Sequence, residues 1–548
     1  MPCNAARLRL LAGAVILAAA LALRVQRLGV EPLWEDEAFS FHAVTGPTWL
    51  ADLRFENLPP LYFVVLHGWI ALAGDDERAL RLLSALLGTL FVAATMWAAR
   101  ELFDAGVALW SGLVAAASPM GIYYSQEARP YALLTTLVVA FYAVLWRALR
   151  TNRGGQWVAV GAFATAALYT HYLAALALLP TAFMLAAWPV RARLGRYLCA
   201  LAVAGAAFAP WVVWSFVLTA HPPGGIDWVR EAWQRTPPWL AVPRSLEVLY
   251  FGSQAGLLPI TLKQFDTLRY PVGLRIAGLG ALAIIGVWAT IARPRSTPGS
   301  GAPRLRAAIL WALLLGPLLT LWLLSWTKPI YVAGRYDQLA LPPIALLLGL
   351  GLERLQAVRR VGPVLAGFAA VALLVPAGAK LVLYYREPAR DREQSRITAE
   401  TLIRTAREGD LVIFTGMRQY AVAYRLHRLG YRLVDGRCEP ETGAGGFLCG
   451  SVPHFLGPLV TPGNWDRSRG AQEIAHADIE QYVTRLGPPG AAVHVVLGTH
   501  AIRAGRLSVA PEDAILLGQL EQAGYSVAAG DSALGIVVYR RGDQSPPS

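Results

Sequence analysis

The chain has 548 residues, of which 55% are hydrophobic and only 16% are charged, and its mean hydropathy is +0.43. A soluble domain carries about 25% charged residues, so this composition excludes a wholly soluble protein and predicts an integral membrane protein with a soluble appendage. The net charge of +13 does not indicate nucleic-acid binding, because the arginines cluster between apolar runs, where membrane topology requires them.

The chain begins with a basic segment followed by an apolar one. Arg7 and Arg9 precede an apolar run from Leu10 to Leu23, a pattern that a cleaved signal peptide would also show. More apolar runs follow, so an uncleaved first membrane helix is the simpler interpretation. Roughly eleven membrane helices are predicted, at about 8–24, 80–99, 107–124, 131–149, 156–170, 172–190, 197–218, 272–292, 307–326, 338–354 and 361–384.

The arginines predict how these helices are oriented. If the N-terminus is cytoplasmic and the sides alternate, every predicted cytoplasmic connection contains at least one arginine. The short turns on the opposite side, near 124–130 and 170–172, hold only Arg129. This distribution satisfies the positive-inside rule and places everything after the last helix outside the cytoplasm.

Two long outer loops are predicted, at 25–79 and 219–271. The first contains an apolar stretch, Leu61 to Ala73, that is about thirteen residues long and too short to cross a bilayer of about 30 Å, so we expect an interfacial or re-entrant helix there. The second loop is expected to form an amphipathic lid on the membrane surface. It is rich in tryptophan and charge, with Trp228, Trp233, Trp239, Arg230, Arg235 and Lys263.

The composition changes after Tyr385. Residues 1–385 are predicted to form the catalytic membrane domain, and residues 386–548 a small extracytoplasmic α/β layer domain. Its helices are predicted at about 392–407, 417–429, 477–486 and 512–523, and its strands at about 410–414, 492–497, 525–528 and 534–539. No glycine-rich phosphate-binding motif follows any of these strands, so nothing marks the domain as a nucleotide binder.

Two of the four cysteines fall in the predicted outer domain. Cys438 and Cys449 lie eleven positions apart and are candidates for a disulfide in an oxidising compartment. A metal or redox pair is the less favoured interpretation, because there is no C-x-x-C motif.

Three consecutive carboxylates, Glu35, Asp36 and Glu37, follow the first apolar run. Carboxylates at a membrane boundary carry a desolvation cost unless a cation or a reaction uses them. A general base is such a use, since it needs a carboxylate beside the reacting hydroxyl. We interpret Asp36 and Glu37 as catalytic candidates, with Trp34 as a substrate contact that helps to keep the site dry. The alternative is an interfacial salt bridge or a helix-capping acid.

A second cluster occupies the short connection at 123–131. Glu127 could orient a sugar hydroxyl or help to hold a cation, and the fork of Arg129 suits a phosphate. The alternative is that Arg129 simply pairs with Glu127 or with a loop carboxylate. Tyr124 and Tyr131 flank these charges as candidate substrate contacts.

A third cluster, Thr327 to Asp337, places cations on the outer side, against the positive-inside trend. An anionic headgroup or a substrate phosphate would explain them. The candidate donor-binding residues here are Lys328, Tyr331, Arg335 and Tyr336. His171, at another outer turn, is a candidate substrate contact, although a lone histidine is also compatible with a structural role. All these clusters fall on one side under a single topology, which predicts an active site at the outer interface.

At these residues the chain resembles the GT-C superfamily of multi-spanning glycosyltransferases. Within it, the closest resemblance is to the bacterial branch grouped with dolichyl-phosphate-mannose protein mannosyltransferases and the lipid A aminoarabinose transferase. One departure is Leu58, where many relatives have a histidine before the Pro-Pro pair. The resemblance is carried by Trp34–Ala38, Pro59–Tyr62, Arg81–Ala85, Arg100–Phe103, Ser118-Pro119, Tyr124–Tyr131, Arg335-Tyr336 and Leu341-Pro342.

The resemblance implies a GT-C fold in which Asp36 is the catalytic carboxylate and Glu127 is the second acidic position. It also implies a donor sugar carried on a polyprenyl phosphate, with Arg129, Lys328 and Arg335 contacting the phosphate. Tyr62, which follows the Pro-Pro pair, is a further substrate-contact candidate.

The expected activity is inverting transfer of this sugar to a cell-envelope glycolipid, polysaccharide or protein, in the inner membrane of a bacterium. The alternatives are a transporter or flippase for a lipid-linked sugar and a non-catalytic envelope scaffold. Transporters usually show internal repeats, and none is evident here. No cofactor is indicated with certainty, but Asp36 and Glu127 could share a divalent cation. The sequence specifies neither the sugar nor the acceptor.

Overall fold

The computed structural model of the protein describes residues 2–45, 49–53, 58–186, 191–218, 229–230, 233–234, 238–251, 280–281, 284–289, 303–386, 390–407, 410–414, 418–434, 437–440, 447–451, 490–497, 500–503, 506–509, 511–532 and 534–541. The first 386 residues are helical wherever they form regular structure within these ranges. Their α-helices are α1 (Pro2–Val25), α2 (Glu35–Thr45), α3 (Trp49–Asp52), α4 (Leu61–Ala73), α5 (Glu77–Leu102), α6 (Ala105–Ala117), α7 (Pro119–Ser125), α8 (Tyr131–Thr151), α9 (Gly154–Thr170), α10 (Ala174–Ala186), α11 (Leu194–Val212), α12 (Pro238–Phe251), α13 (Pro303–Ser325), α14 (Leu341–Gln356) and α15 (Gly362–Arg386).

Several of these helices have the length and composition of membrane spans. Within the described residues, six helices are long and apolar enough to cross a membrane, and α6 with α7 makes a seventh if the bent pair counts as one span. The protein is therefore a polytopic α-helical membrane protein. The predicted total of eleven crossings stays a prediction, because the run at 272–292 lies mostly outside the described residues.

The predicted continuous helix at 107–124 is wrong in one respect. The chain breaks at Ser118, and the axes of α6 and α7 differ by 64°. Ser118 has an extended backbone, its hydroxyl accepts from the amide of Gly121 as the cap of α7, and Pro119 occupies the first position of the new helix. Serine as a cap followed by proline is a strong signal for helix initiation, and here it acts within an apolar run.

Local signals also set the ends of the long helices. Asp76 caps α5 by accepting from the amide of Ala79, and Asp104 caps α6 by accepting from Gly106 and Val107. Within the bundle, α5 approaches α7 closely at Gly88, where any Cβ would overlap the hydroxyl of Ser125. The absent side chain is therefore what permits this contact.

The short apolar stretch forms the helix that the sequence predicts. Helix α4 runs from Leu61 to Ala73 and ends at Gly74, whose φ of +86° only glycine adopts readily.

Much of the predicted lid at 219–271, including Trp228, Arg235 and Lys263, lies outside the described residues, as does Asn57. Within the described part of the lid, Trp233 is buried and Trp239 is exposed.

After Arg386 the structure changes to mixed helices and strands, which confirms the predicted C-terminal α/β part of the fold class. The predicted helix at 477–486 lies outside the described residues. The elements are α16 (Arg390–Thr405), β1 (Leu411–Phe414), α17 (Arg418–Arg428), β2 (Tyr431–Val434), β3 (Arg437–Pro440), β4 (Phe447–Ser451), β5 (Val493–Val496), β6 (His500–Arg503), β7 (Arg506–Val509), α18 (Pro511–Gln522), β8 (Tyr525–Asp531) and β9 (Ile536–Arg541).

Seven of these strands form one sheet, in the order β2-β3-β4-β1-β5-β9-β8. Strand β1 is parallel to both β4 and β5, and its four residues are buried, as expected for a central strand.

Cys438 and Cys449 lie on the neighbouring strands β3 and β4. Their side chains lie outside the described part of the structure, so the disulfide stays a prediction.

The hydrophobic core that matters for function joins the two parts of the chain. It contains residues of α2 and α4 from the membrane part, such as Phe41 and Tyr62, and residues of α17, such as Tyr424. The helix that carries the acidic cluster is therefore packed between the bundle and the C-terminal part.

Candidate active site

Asp36 lies in the first turn of α2, where the helix dipole favours an acidic side chain. One of its carboxylate oxygens is 2.6 Å from Nη2 of Arg335, and the same oxygen is 4.0 Å from Nη2 of Arg129. The side chains of Asp36 and Arg335 are each 15% exposed, and that of Arg129 is 8% exposed. The structure therefore brings together one predicted catalytic residue and two predicted phosphate contacts in a largely buried cluster.

Helix α2 and the turn before α8 are held together by Arg129. Its Nη1 donates to the backbone oxygen of Asp36 at 3.2 Å and to the hydroxyl of Ser40 at 3.1 Å. The Ser40 hydroxyl in turn donates to the same backbone oxygen. Arg129 therefore lies beside the Asp36 carboxylate and also fixes the backbone around it.

Arg335 is held by aromatic side chains. Its Nε donates to the hydroxyl of Tyr131 at 3.1 Å, and its guanidinium carbon lies 5.9 Å from the ring centroid of Trp34 and 5.8 Å from that of Tyr336. Distances below about 6 Å allow cation–π attraction. Three predicted site residues therefore surround a fourth.

The loop that carries Arg335 is closed on itself. Gly334 has a φ of +83°, and its amide donates to both oxygens of Asp337, at 2.9 and 3.0 Å. The hydroxyl of Tyr124 donates to the carbonyl of Gly334 at 2.6 Å. Tyr331 is buried behind this loop, with its hydroxyl 2.6 Å from that of Ser245. The two tyrosines therefore shape the loop.

Glu37 has a different environment from Asp36. It is fully buried and accepts two bonds from Arg81, at 2.7 Å from Nε and 2.6 Å from Nη2. It also accepts from the backbone amides of Trp34 and Ala128. The geometry of Glu37 matches the salt-bridge alternative considered for this cluster.

Arg81 also binds the chain that leads into α2. Its Nη1 and Nη2 donate to the carbonyls of Leu28, Glu31 and Pro32. Arg81 lies in one of the segments that carry the resemblance, but the sequence does not predict it as a site residue. A cation within an apolar helix is the signal that could have indicated its role.

His171 ends α9 and lies beside the arginine cluster. Its Nδ1 accepts from the amide of Leu173 at 3.1 Å, so the ring proton is on Nε2. That Nε2 is buried and has no hydrogen-bond partner among the described residues. Burial, and then the positive charges of Arg129 and Arg335, lower the pKa of His171 to about 3, so the ring is neutral at physiological pH.

The remaining predicted residues differ in their surroundings. Glu127 is buried in the turn before α8, and its carbonyl accepts from the amide of Arg129. Tyr62 is fully buried, with its hydroxyl 3.4 Å from that of Ser84. Lys328 has an exposed side chain with no ion pair or hydrogen bond to any described residue.

The cluster around Asp36 does not have the composition of a divalent-cation site. No group of three or more His, Cys, Asp and Glu side chains among the described residues could hold a metal ion. Of the two predicted ligands, Asp36 faces two guanidinium groups, which would repel a divalent cation. The arrangement thus suits an anion better than a metal.

Comparisons with known proteins agree with this architecture. Residues 57–214 match the family model for dolichyl-phosphate-mannose-protein mannosyltransferase. A search of the curated proteins finds no match.

The fold is shared with solved membrane proteins. The apo crystal structure of ArnT from Cupriavidus metallidurans superposes with a TM-score of 0.56 at 16% identity, covering 99% of this chain and 100% of that chain. The same protein bound to undecaprenyl phosphate gives 0.55 at 15% identity, with 100% and 99% covered. The archaeal oligosaccharyltransferase AglB from Archaeoglobus fulgidus, in complex with an inhibitory peptide and a dolichol-phosphate, gives 0.54 at 10% identity, with 98% and 75% covered. The family-model match therefore covers residues 57–214, and the solved structures show that the chain shares their fold over nearly its whole length.

Proposed function

We propose that the protein is an inverting glycosyltransferase that moves a sugar from a polyprenyl-phosphate donor to a hydroxyl of a cell-envelope glycolipid, polysaccharide or protein. The reaction takes place at the outer face of a bacterial inner membrane, with the N-terminus in the cytoplasm and the C-terminal α/β part outside. The observation that carries the proposal is the Asp36 carboxylate between the guanidinium groups of Arg335 and Arg129 at the end of an apolar bundle. The polyprenyl phosphates bound to the structural neighbours support the donor class.

The two arginines form the phosphate site. A guanidinium presents a planar fork of donors that matches phosphate oxygens, and in a dry site its attraction is weakened little by water. Trp34, Tyr131 and Tyr336 keep the guanidinium of Arg335 at the site, where it can pass from Asp36 to an arriving anion. Exposed Lys328, on the same loop, contributes positive charge at the entrance.

Donor binding frees the base. At rest, Nη2 of Arg335 donates to a carboxylate oxygen of Asp36 at 2.6 Å, so this oxygen is occupied and not open to a substrate hydroxyl. The donor phosphate competes with Asp36 for the same guanidinium. When Arg335 turns to the phosphate, the carboxylate becomes available to the acceptor hydroxyl.

The transfer step follows from this arrangement. The acceptor oxygen attacks the anomeric carbon and gives its proton to Asp36, while the bond between that carbon and the phosphate oxygen breaks. The electron pair of this bond stays on the phosphate, so polyprenyl phosphate leaves and the configuration inverts. Arg129 and Arg335 stabilise the growing negative charge, a contribution of about 3–4 kcal/mol for a well-placed donor.

His171 supplies a neutral hydrogen bond. Its buried Nε2–H has no acceptor among the described residues, and a buried donor without an acceptor costs about 1–3 kcal/mol. A phosphate or sugar oxygen of the donor would satisfy it. Because the ring stays neutral, it adds no charge to a site that already contains two arginines.

The other predicted residues support the site from outside the reaction. Glu37, held by Arg81 and two backbone amides, orients the start of α2 and is a positioning residue. Tyr124 and Tyr331 hold the loop of Arg335. Tyr62 packs beneath α2, and Glu127 is buried in the turn that carries Arg129.

The proposal is tested by transfer of a radiolabelled sugar from polyprenyl phosphate by the purified protein in liposomes. We expect Asp36→Asn to lower the rate of transfer by at least about 100-fold, because the general base is lost. The same variant is expected to bind the donor as well as the parent or more tightly, since Asp36 no longer competes for Arg335. Glu35→Gln, in the same helical turn, is the matched control and retains transfer. Retained transfer by Asp36→Asn would remove Asp36 from the mechanism, and lost donor binding would contradict the competition for Arg335.

A further inference from the structure

Helix α17 of the C-terminal part lies directly on α2, the helix whose first turn carries Asp36. The ring of Tyr420 meets that of Phe39 edge to face, with centroids 4.9 Å apart. The ring of Tyr424 meets that of Phe41 in the same way at 5.1 Å. These four side chains are buried in one cluster. Such edge-to-face aromatic pairs stabilise the contact beyond the apolar area that they bury.

A polar bond joins the same two helices. Nε2 of His42 donates to the carbonyl of Tyr420 at 3.2 Å. Burial lowers the pKa of His42 to about 4, so its ring is neutral near pH 7, and the carbonyl acceptor places its proton on Nε2. Helix α2 is thus held by α17 through both apolar and polar contacts.

The same face of α17 also holds the start of α5. Asp75 accepts from Nε2 of His427 at 2.7 Å and from Nη1 of Arg428 at 2.9 Å. The hydroxyl of Tyr424 donates to the carbonyl of Asp75 at 3.0 Å. Asp75 directly precedes the cap of α5, the helix that carries Arg81. Arg81 is the side chain that binds Glu37 in α2.

We propose that α17 acts as a brace that positions the catalytic helix. It ties α2 and the start of α5 to one surface and so fixes Asp36 relative to Arg129 and Arg335. Tyr420, Tyr424 and Arg428 are positioning residues, because they touch neither Asp36 nor the arginines that face it. The inference rests on the proposed function of Asp36 as the base, and it gives the C-terminal part a role in the reaction.

The test compares two arginines of α17 in the full-length protein. Arg428→Ala removes the hydrogen bond that Arg428 donates to Asp75. Arg425→Ala is the matched control, because Arg425 lies one turn earlier and binds Glu400 of α16 within the C-terminal part, at 3.3 Å. We expect Arg428→Ala to lower kcat by about tenfold with an unchanged KM for the donor, since a small displacement of a catalytic group costs up to about 100-fold. Amide hydrogen exchange in 35–45 is expected to become several-fold faster. Arg425→Ala changes neither quantity, and Arg428→Lys restores most of both.

Two results would overturn the brace. One is unchanged exchange in 35–45 in the Arg428→Ala protein. The other is faster exchange with kcat equal to that of the parent. If the parent protein transfers no sugar from any polyprenyl-phosphate donor, the proposed function fails, and the exchange comparison still decides whether α17 holds α2.

Discussion

At the scale of single residues, the site separates two adjacent carboxylates by their surroundings. Asp36 is partly accessible and shares one oxygen between two arginines, whereas Glu37 is fully buried and bound twice by Arg81. Asp36 can therefore lose an arginine to a substrate anion. Glu37 is bound by Arg81 through both carboxylate oxygens, which suits a fixed structural contact.

This difference gives a stability prediction for Glu37. Glu37→Gln removes the carboxylate that the buried Arg81 binds twice, and breaking a buried pair on one side typically costs about 3–5 kcal/mol. We expect a clear fall in the midpoint of thermal unfolding in detergent. Glu101→Gln is the control, because its partners Arg147 and Arg150 are 50% and 58% exposed, and such pairs contribute at most about 1 kcal/mol. Equal shifts in the two variants would show that the Glu37 pair is not structural.

The residue types of the site could be predicted from the sequence, but their pairing could not. Asp36, Arg129 and Arg335 stand out because charge is rare in apolar surroundings. Asp36 and Arg335 are 299 positions apart, and nothing local to either indicates the other. Lys328 shows the limit of the approach, since it has the same sign as Arg335, lies on the same loop, and is exposed instead of buried in the cluster.

At the scale of elements, helices follow from apolar runs, while breaks within them depend on one or two side chains. Helix α4 has the length that its thirteen apolar residues predict. The predicted helix at 107–124 is instead two helices, because the hydroxyl of Ser118 and the ring of Pro119 start a new helix whose axis makes an angle of 64° with that of the first. A hydropathy profile averages over a window of residues and does not respond to a single capping residue, so it does not predict the break.

The loop that carries Arg335 is expected to respond to pH. Burial raises the pKa of Asp337 from 3.8 to about 7, against the effect of its hydrogen bonds with Ser245 and Gly334. The folded state therefore keeps its proton up to a higher pH than the unfolded chain does. This contribution to stability is fully present below about pH 4 and is lost as the pH rises through 7.

The measurement is the midpoint of thermal unfolding against pH for the parent protein and for Asp337→Asn. The asparagine cannot ionise but can still accept from the amide of Gly334. We expect the variant to gain stability relative to the parent between pH 4 and pH 7 and to keep that gain at higher pH. Parallel profiles over this range would show that Asp337 does not titrate in the folded loop.

At the scale of the whole molecule, the site depends on three separated parts of the chain meeting at one end of the bundle. Helix α2, the turn before α8 and the loop before α14 supply Asp36, Arg129 and Arg335. The C-terminal part adds α17 on the far side of α2. The composition alone predicts both parts of the chain, but it does not predict that they share a core around the helix that carries Asp36.

The proposed orientation in the membrane can be tested directly. In a background without the four native cysteines, single cysteines are placed at Thr327, on the proposed outer side, and at Arg153, on the proposed cytoplasmic side. Both side chains are exposed. We expect a membrane-impermeant maleimide to label Thr327→Cys in intact spheroplasts and Arg153→Cys only after permeabilisation. The reverse pattern would place the arginine cluster in the cytoplasm and contradict an outer-face reaction.

Acidic and basic side chains lie close together around Asp36. Asp36, Glu37 and Glu127 accompany Arg81, Arg129 and Arg335, and none of these side chains is more than slightly exposed. A lipid phosphodiester that enters this region meets carboxylates as well as guanidinium groups, so its charge is stabilised only where it takes an arginine from a carboxylate. A polyprenol without a phosphate has no charge with which to do so, and selection of phosphorylated carriers over free lipid alcohols would follow from the same contacts that hold Asp36 at rest.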